Sequence, residues 1–174
     1  MSEEIPRVLD LMTNKRTDSN LRLQALTKIG EHKPYNCYQC IKCTSGCPAM
    51  KMLEIKPHEI VGLVRLGFAE DVINSGIIWA CAMCLKCKER CPQEVAPVDL
   101  IFALRNLAVE REVKVPNSHL QSVSMILETG FVQKPMDTVT QKLEKVNRDK
   151  LGLPKFREAG EKFKSTFMKA LGGS

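Results

Sequence analysis

Eight cysteines are the residues of this 174-residue chain best suited to chemistry, and their spacing is regular. They form two runs of the pattern Cys-x2-Cys-x2-Cys-x3-Cys-Pro, and each position of the second run lies 44 residues after its counterpart in the first. The two motifs comprise Cys37, Cys40, Cys43 and Cys47, followed by Cys81, Cys84, Cys87 and Cys91. Three closely spaced thiolates can surround one face of a cubane, whose fourth ligand comes from elsewhere. The pattern therefore predicts two 4Fe–4S clusters.

The fourth cysteine of each motif is expected to serve the other motif's cluster. In the bacterial two-cluster pattern, the cysteine that precedes proline ligates the second cluster of the pair. Applied to this sequence, the rule assigns Cys37, Cys40, Cys43 and Cys91 to cluster 1, and Cys81, Cys84, Cys87 and Cys47 to cluster 2. Structural zinc usually takes paired Cys-x2-Cys units, and disulfides are rare in reducing compartments. Both alternatives are therefore weaker.

The net charge of +6 is concentrated at one end of the chain. Residues 1–36 carry a net charge of +1 and residues 37–140 carry none, whereas residues 141–174 carry nine basic and four acidic groups. A neutral body argues against nucleic-acid binding and indicates a charged tail with its own role.

No apolar segment approaches the ~20 residues that a spanning helix needs. The longest apolar run covers residues 77–83, and the acidic N-terminus is followed by no apolar core typical of a secretory signal. We therefore expect a cytoplasmic protein without a membrane span.

The elements that must position the cysteines are predicted to be helices. Pro57 and Pro97 suit first helical positions, and Gly67 suits the end of the first of these helices. A shorter helix is predicted at residues 69–73 and a later one at residues 118–128, and no alternating strand pattern is found. The fold class is therefore predicted to be all-α.

Three segments are expected along the chain. Residues 1–29 form an N-terminal helical extension, residues 30–135 hold the cysteines, and residues 136–174 form a basic C-terminal tail that docks on a partner. In this tail, one face of a helix is predicted to carry Phe156, Phe163, Phe167 and Leu171. Such a face suits binding in a groove of another protein.

Residues beside the motifs are expected to protect and tune the clusters. The aromatic residues Tyr35, Tyr38 and Trp79 are predicted to cover the clusters from water as part of the core. The cations Lys86, Lys88 and Arg90 surround the second motif, and nearby positive charge favours a reduced cluster. The histidines are scattered and are interpreted as surface or capping residues.

The sequence favours an electron carrier inside a larger complex. It contains no Gly-rich phosphate loop, paired carboxylate site or nucleophile with a base, and no cysteine remains for disulfide exchange. A free small ferredoxin needs little beyond two closely spaced motifs. This chain has a helical spacer over residues 48–80 and about 80 residues after Cys91.

Three segments resemble the iron–sulfur subunit, designated C, of the heterodisulfide reductase of methanogenic archaea. They are residues 37–48 (CYQCIKCTSGCP), 57–61 (PHEIV) and 79–84 (WACAMC), and the resemblance covers about residues 30–135. It implies an α-helical ferredoxin domain, which iron–sulfur subunits of succinate dehydrogenase and fumarate reductase share.

The resemblance also implies a role. In that complex the flavin-bearing subunit, designated A, receives electrons from hydrogenase or formate dehydrogenase. The iron–sulfur subunit passes them to the catalytic subunit, designated B, which reduces the coenzyme M–coenzyme B heterodisulfide in methanogenesis. The catalytic subunit is marked by adjacent cysteine pairs, and this sequence has none. The chain is accordingly expected to be a non-catalytic relay subunit.

Two alternatives remain open. The first is that the chain serves as the iron–sulfur subunit of another anaerobic dehydrogenase of the glycerol-3-phosphate, glycolate or fumarate type. A nucleic-acid-binding iron–sulfur protein is a weaker alternative, because residues 37–140 have no net charge.

Overall fold

The computed structural model describes residues 17–29, 33–132, 138–139, 141, 144–154 and 159–171. These residues are mostly helical, with almost no strand. The helices are α1 (Ser19–Thr27), α2 (Lys42–Ser45), α3 (Pro57–Arg65), α4 (Ala69–Asn74), α5 (Lys86–Glu89), α6 (Pro97–Glu110), α7 (Asn117–Thr129) and α8 (Glu161–Leu171). Single 3₁₀ turns cover Lys33–Asn36 and Ile77–Ala80, and two-residue strands are β1 (Thr138–Val139) and β2 (Lys145–Val146).

Local sequence signals explain where the first long helices begin and end. The Asp18 carboxylate accepts hydrogen bonds from the first backbone N–H groups of α1. Helix α3 begins at Pro57, and the Glu59 carboxylate accepts the backbone N–H of Lys56 at 2.6 Å. Gly67 follows α3 with a φ of +94°, a conformation that strains any residue with a Cβ.

The predicted helices after Pro57 and Pro97, and those near residues 69–73 and 118–128, are confirmed within one or two residues. The strands were not predicted, so the expectation of no strand is wrong at one place. Thr138 pairs with Val146 and Val139 with Lys145 in an antiparallel ladder. Two residues per strand are too few to produce a recognisable alternation.

The hydrophobic core lies among α1, α3, α4 and α6. Helix α6 contributes the largest share, including Leu100 and Leu104, both of which are fully buried. The opposing helices contribute Leu21 from α1, Ile60 from α3 and Val72 from α4, each at most 1% exposed. These helices therefore form the scaffold on which both cysteine motifs are mounted.

The chain divides into two compact units, the first ending at Lys114 and the second beginning at Val115. All buried side chains of the described residues belong to the first unit, the last of them being Ala108. In the second unit, the Ala159 N–H donates to the Thr129 carbonyl at 3.1 Å, which brings the start of α8 to the end of α7. The predicted boundaries at residues 30 and 136 lie outside the described residues, as does Phe156.

Across the described ranges, no helix combines the length and apolar character needed to cross a lipid bilayer.

Candidate metal centres

The structure gathers the eight cysteines around two cavities. The first cavity is lined by Cys37, Cys40, Cys43 and Cys91, together with residues that include Tyr38, Ile41 and His58. The second is lined by Cys47, Cys81, Cys84 and Cys87, together with residues that include Ile60, Leu85 and Val98. Each cavity therefore combines three cysteines of one motif with the fourth cysteine of the other.

The backbone of both motifs has the same unusual conformation around the second cysteine. Gln39 and Ile41 flank Cys40 with φ values of 56° and 66°, and Met83 and Leu85 flank Cys84 with φ values of 52° and 62°. Left-handed backbone is strained for residues that carry a Cβ, Ile41 above all. Alternation of right- and left-handed residues turns successive N–H groups inward, and such nests bind anionic groups, iron–sulfur centres included.

Burial acts strongly on two of the thiols. Burial raises the pKa of the Cys87 thiol to about 11. It also raises the pKa of Cys43, partly offset by a hydrogen bond with the Thr44 hydroxyl. Without a metal these thiols therefore stay protonated at neutral pH, and a bound cation must displace the proton. All eight cysteines are free of disulfide bonds.

Polar groups around the first cavity contact its sulfurs and hold its loop. The Gln39 amide donates to Cys37 Sγ at 3.4 Å, and the Val95 N–H donates to Cys91 Sγ at 3.2 Å. His58 Nδ1 and Thr44 Oγ1 are 2.7 Å apart, which links α3 to the residue after Cys43. His58 is therefore part of this site, contrary to its interpretation as a surface or capping residue.

Two arginines that sequence reasoning missed hold the first cysteine of each motif. Arg65 donates to the Cys37 carbonyl, and Arg105 donates to the Cys81 carbonyl, both at 2.8 Å. Each arginine lies eight residues after the proline that begins its helix, Pro57 in α3 and Pro97 in α6. That shared register was the only signal in the sequence that could have identified them.

The prediction that Tyr35 and Tyr38 belong to the core is wrong, although Tyr38 does line the first cavity. Tyr38 is 73% exposed and Tyr35 is 46% exposed, so they lie at the surface near the first motif. Trp79 packs against the core, and its ring lies under the Arg105 guanidinium at 5.3 Å. Of the cations near the second motif, Lys88 pairs with Asp99 at 3.0 Å and all three are exposed.

The cavities suit a polynuclear centre by their donor chemistry. Each presents four cysteines, and a 4Fe–4S cluster is held by four thiolates on four different irons. In the described part of the chain, no three His, Cys, Asp or Glu side chains are grouped so that they could hold a single metal ion.

Comparison with known proteins agrees with this chemistry. The family described as "4Fe-4S dicluster domain" matches residues 33–95, which include both motifs. Residues 33–95 therefore belong to an iron–sulfur domain of the dicluster type.

Similarity to individual proteins identifies the family more specifically. The chain is 30% identical over 115 residues to the CoB–CoM heterodisulfide reductase iron–sulfur subunit designated C of Methanopyrus kandleri, covering 66% of this chain and 59% of that protein. It is 33% identical over 118 residues to the corresponding subunit designated C 2 of Methanocaldococcus jannaschii, covering 68% and 60% respectively. The ferredoxin:CoB–CoM heterodisulfide reductase subunit of the same designation in Methanosarcina mazei is 30% identical over 128 residues, or 74% of this chain and 75% of that protein. The chain belongs to this family of heterodisulfide reductase iron–sulfur subunits.

The chain spans about three fifths of the length of the first two of these relatives.

Proposed function

We propose that this chain is the non-catalytic electron-relay subunit of a cytoplasmic heterodisulfide reductase complex. In this role it receives electrons from the flavin-bearing subunit, supplied in turn by hydrogenase or formate dehydrogenase. It passes them to the catalytic subunit that reduces the coenzyme M–coenzyme B heterodisulfide. The relatives' names and the family's 4Fe–4S dicluster domain support this assignment.

The observation that carries the proposal is the mixed lining of the two cavities. Cys37, Cys40, Cys43 and Cys91 would hold one 4Fe–4S cluster, and Cys81, Cys84, Cys87 and Cys47 would hold the other. When bound, each cluster supplies reversible one-electron transfer. Because each cavity uses both motifs, α3 and α6 act as a common scaffold for the two sites.

This chain's own residues contribute orientation and shielding. The left-handed residues beside Cys40 and Cys84 give both loops a conformation of the kind that presents backbone N–H groups to an anionic centre. The bonds from Gln39 and Val95 to cysteine sulfurs favour the reduced state, since hydrogen bonds to sulfur stabilise added negative charge. We further propose that residues 30–135 form an α-helical ferredoxin domain with helical extensions on both sides.

The metal content is the first test. Anaerobically purified protein is expected to contain about eight iron atoms and eight acid-labile sulfides per chain, because two complete four-cysteine sets are available. Metal analysis and a sulfide assay measure this directly. Zinc in place of iron, or half the iron with all cysteines intact, would contradict the assignment.

The identity of the partners tests the complex. We expect a tagged chain purified anaerobically from its host to bring down a flavoprotein and a chain with adjacent cysteine pairs. When the reduced chain is mixed with those partners, its EPR signal should decrease, because electrons pass from the chain to the catalytic subunit. Recovery of a glycerol-3-phosphate-, glycolate- or fumarate-type dehydrogenase would instead indicate an iron–sulfur subunit of that enzyme. Binding of nucleic acid would favour the nucleic-acid-binding alternative.

We also propose that the C-terminal tail, residues 136–174, docks on a partner protein of the complex. No described side chain of this tail is buried, and the apolar residues Val139, Leu151 and Met168 are each more than half exposed. Apolar surface left exposed in this way favours burial against another protein. In α8, Phe163 and Phe167 stack at 5.7 Å between ring centroids and form an apolar patch beside the helix's lysines.

Truncation after Leu153 tests the tail. The shortened chain is expected to retain its iron and both EPR signals, because the buried core ends at Ala108, but to lose its partners on purification. A Phe163→Ala, Phe167→Ala double variant should weaken assembly in the same way, whereas the exposed Ser165→Ala control should not. Full co-purification of the truncated chain, or loss of its clusters, would argue that the tail belongs to the core instead.

A further inference from the structure

We propose that Arg105 is a buried counter-charge that raises the reduction potential of the site formed by Cys81, Cys84, Cys87 and Cys47. The inference rests on the proposed iron–sulfur function and assigns to one residue of α6 a role in setting that site's potential. Arg105 therefore acts as a positioning and tuning residue, and not as a ligand.

Arg105 is held in place by an unusually complete set of contacts. Its guanidinium donates to the Ile78 carbonyl at 2.9 Å, the Trp79 carbonyl at 3.3 Å and the Cys81 carbonyl at 2.8 Å. A further bond reaches Met83 Sδ at 3.0 Å, and the Trp79 ring lies beneath the guanidinium. These groups belong to the segment that carries Cys81 into the second cavity, so the charge is fixed beside the first ligand of this site.

The charge of Arg105 is buried, and within the described part of the chain it has no acidic partner. The side chain is only 7% exposed, and its contacts are carbonyl oxygens, a thioether sulfur and an aromatic ring. No carboxylate among the described residues forms an ion pair with it. Burial of an unpaired charge is costly unless an opposite charge lies nearby. The thiolates of the second cavity supply that opposite charge once they are bound to iron.

The other cations near the second motif act more weakly. Lys86, Lys88 and Arg90 are exposed, and Lys88 is already paired with Asp99. Water and salt screen such charges, whereas a charge inside the protein is screened much less. Reduction adds one negative charge to the site, so a fixed buried cation favours the reduced state. Arg105 is therefore expected to outweigh the exposed cations.

Arg65 provides a matched control within the same chain. It makes the equivalent 2.8 Å bond to the Cys37 carbonyl from the equivalent helical position, but it is only half-buried. Substitution of Arg65 removes the same type of hydrogen bond at the first site and leaves the surroundings of the second site intact. A comparison of the two arginines therefore separates the loss of a backbone contact from the loss of a buried charge.

The test is an anaerobic redox titration monitored by EPR, on full-length protein whose iron content has been measured. Arg105→Gln is expected to lower the potential of the second site by at least the equivalent of a tenfold change in the reduction equilibrium, about 59 mV for one electron. Arg105→Lys, which keeps the charge, should restore most of this loss. Arg65→Gln should leave the second site's potential unchanged. The signals are assigned with the Cys91→Ser protein, in which the first site lacks a ligand.

Two results would overturn the proposal. Either the second site's potential stays unchanged in Arg105→Gln, or Arg105→Lys and Arg105→Gln lower it equally, which would indicate shape and not charge. If Arg105→Gln loses iron, the reduction potential of the second site is instead measured at low salt and at high salt, in the unchanged protein and in Arg105→Lys. A potential insensitive to salt supports the buried charge, whereas one that falls as salt rises assigns the effect to the exposed cations. Failure to bind eight irons in the unchanged protein would instead refute the proposed function itself.

Discussion

Replacement of Cys91 by Ser is expected to remove the EPR signal of the first site and about half of the iron. Cys91 belongs to the second motif in sequence, but it lines the cavity of Cys37, Cys40 and Cys43. A serine oxygen is a poor substitute for a thiolate at an iron–sulfur centre, so the site that loses Cys91 is the one expected to fail. The measurements are iron content and the EPR spectrum of the reduced protein.

The reciprocal variant supplies the control. Cys47→Ser should abolish the signal of the second site, because Cys47 lines the cavity of Cys81, Cys84 and Cys87. The two variants must therefore lose different signals. Loss of the Cys81, Cys84 and Cys87 signal in Cys91→Ser would show that ligation is local to each motif. Since metal binding contributes folding free energy, each variant should also melt at a lower temperature than the unchanged protein.

Leu104→Ala is expected to lower the free energy of unfolding of the first unit by about 2–5 kcal/mol. Leu104 is fully buried in the part of α6 that faces the core, so truncation removes apolar contacts and leaves a cavity. The effect should reach the clusters as well, because the next residue along α6 is Arg105, which holds the Cys81 loop. Denaturant unfolding under anaerobic conditions, followed by circular dichroism, measures the change.

Leu120→Ala is the matched control for this substitution. Leu120 is 51% exposed on α7, and surface substitutions usually change stability by no more than about 0.5 kcal/mol. Equal destabilisation by both variants would contradict the burial pattern. A stable Leu104→Ala protein with full iron content would show that the core of α6 is not what supports the sites.

The two cavities and the hydrophobic core share one scaffold. Each cavity draws cysteines from both motifs, and the segment between the motifs contains α3 and α4, which pack with α6. Damage to the core is therefore expected to affect both sites, whereas loss of one cysteine is expected to remove the site whose cavity that cysteine lines. The exposed tail is expected to be independent of this scaffold. Truncation of the tail should therefore leave the clusters in place, whereas a core substitution should impair them.

The metal chemistry and most of the helices could be predicted from local patterns in the sequence. The spacing of cysteines along the chain is a property of the sequence alone, so two repeated motifs predict two four-thiolate sites without knowledge of the fold. The helix boundaries at Pro57, Gly67 and Pro97 also depend on local backbone chemistry, and the structure confirms them. The family was recognisable for the same reason, because residues 37–48 and 79–84 are short local patterns.

The surroundings of the sites, by contrast, depend on tertiary packing. Tyr38 was expected to be a core residue because it is aromatic and adjacent to Cys37, yet it lies 73% exposed at the surface. Arg105 was not singled out from the sequence, yet the fold buries it against carbonyls 24 to 27 residues away. Burial and long-range contacts depend on how helices pack together, which residue types and local spacing do not encode. The charges and hydrogen bonds that surround the two sites are therefore set by the packing of α3 and α6 against the cysteine loops.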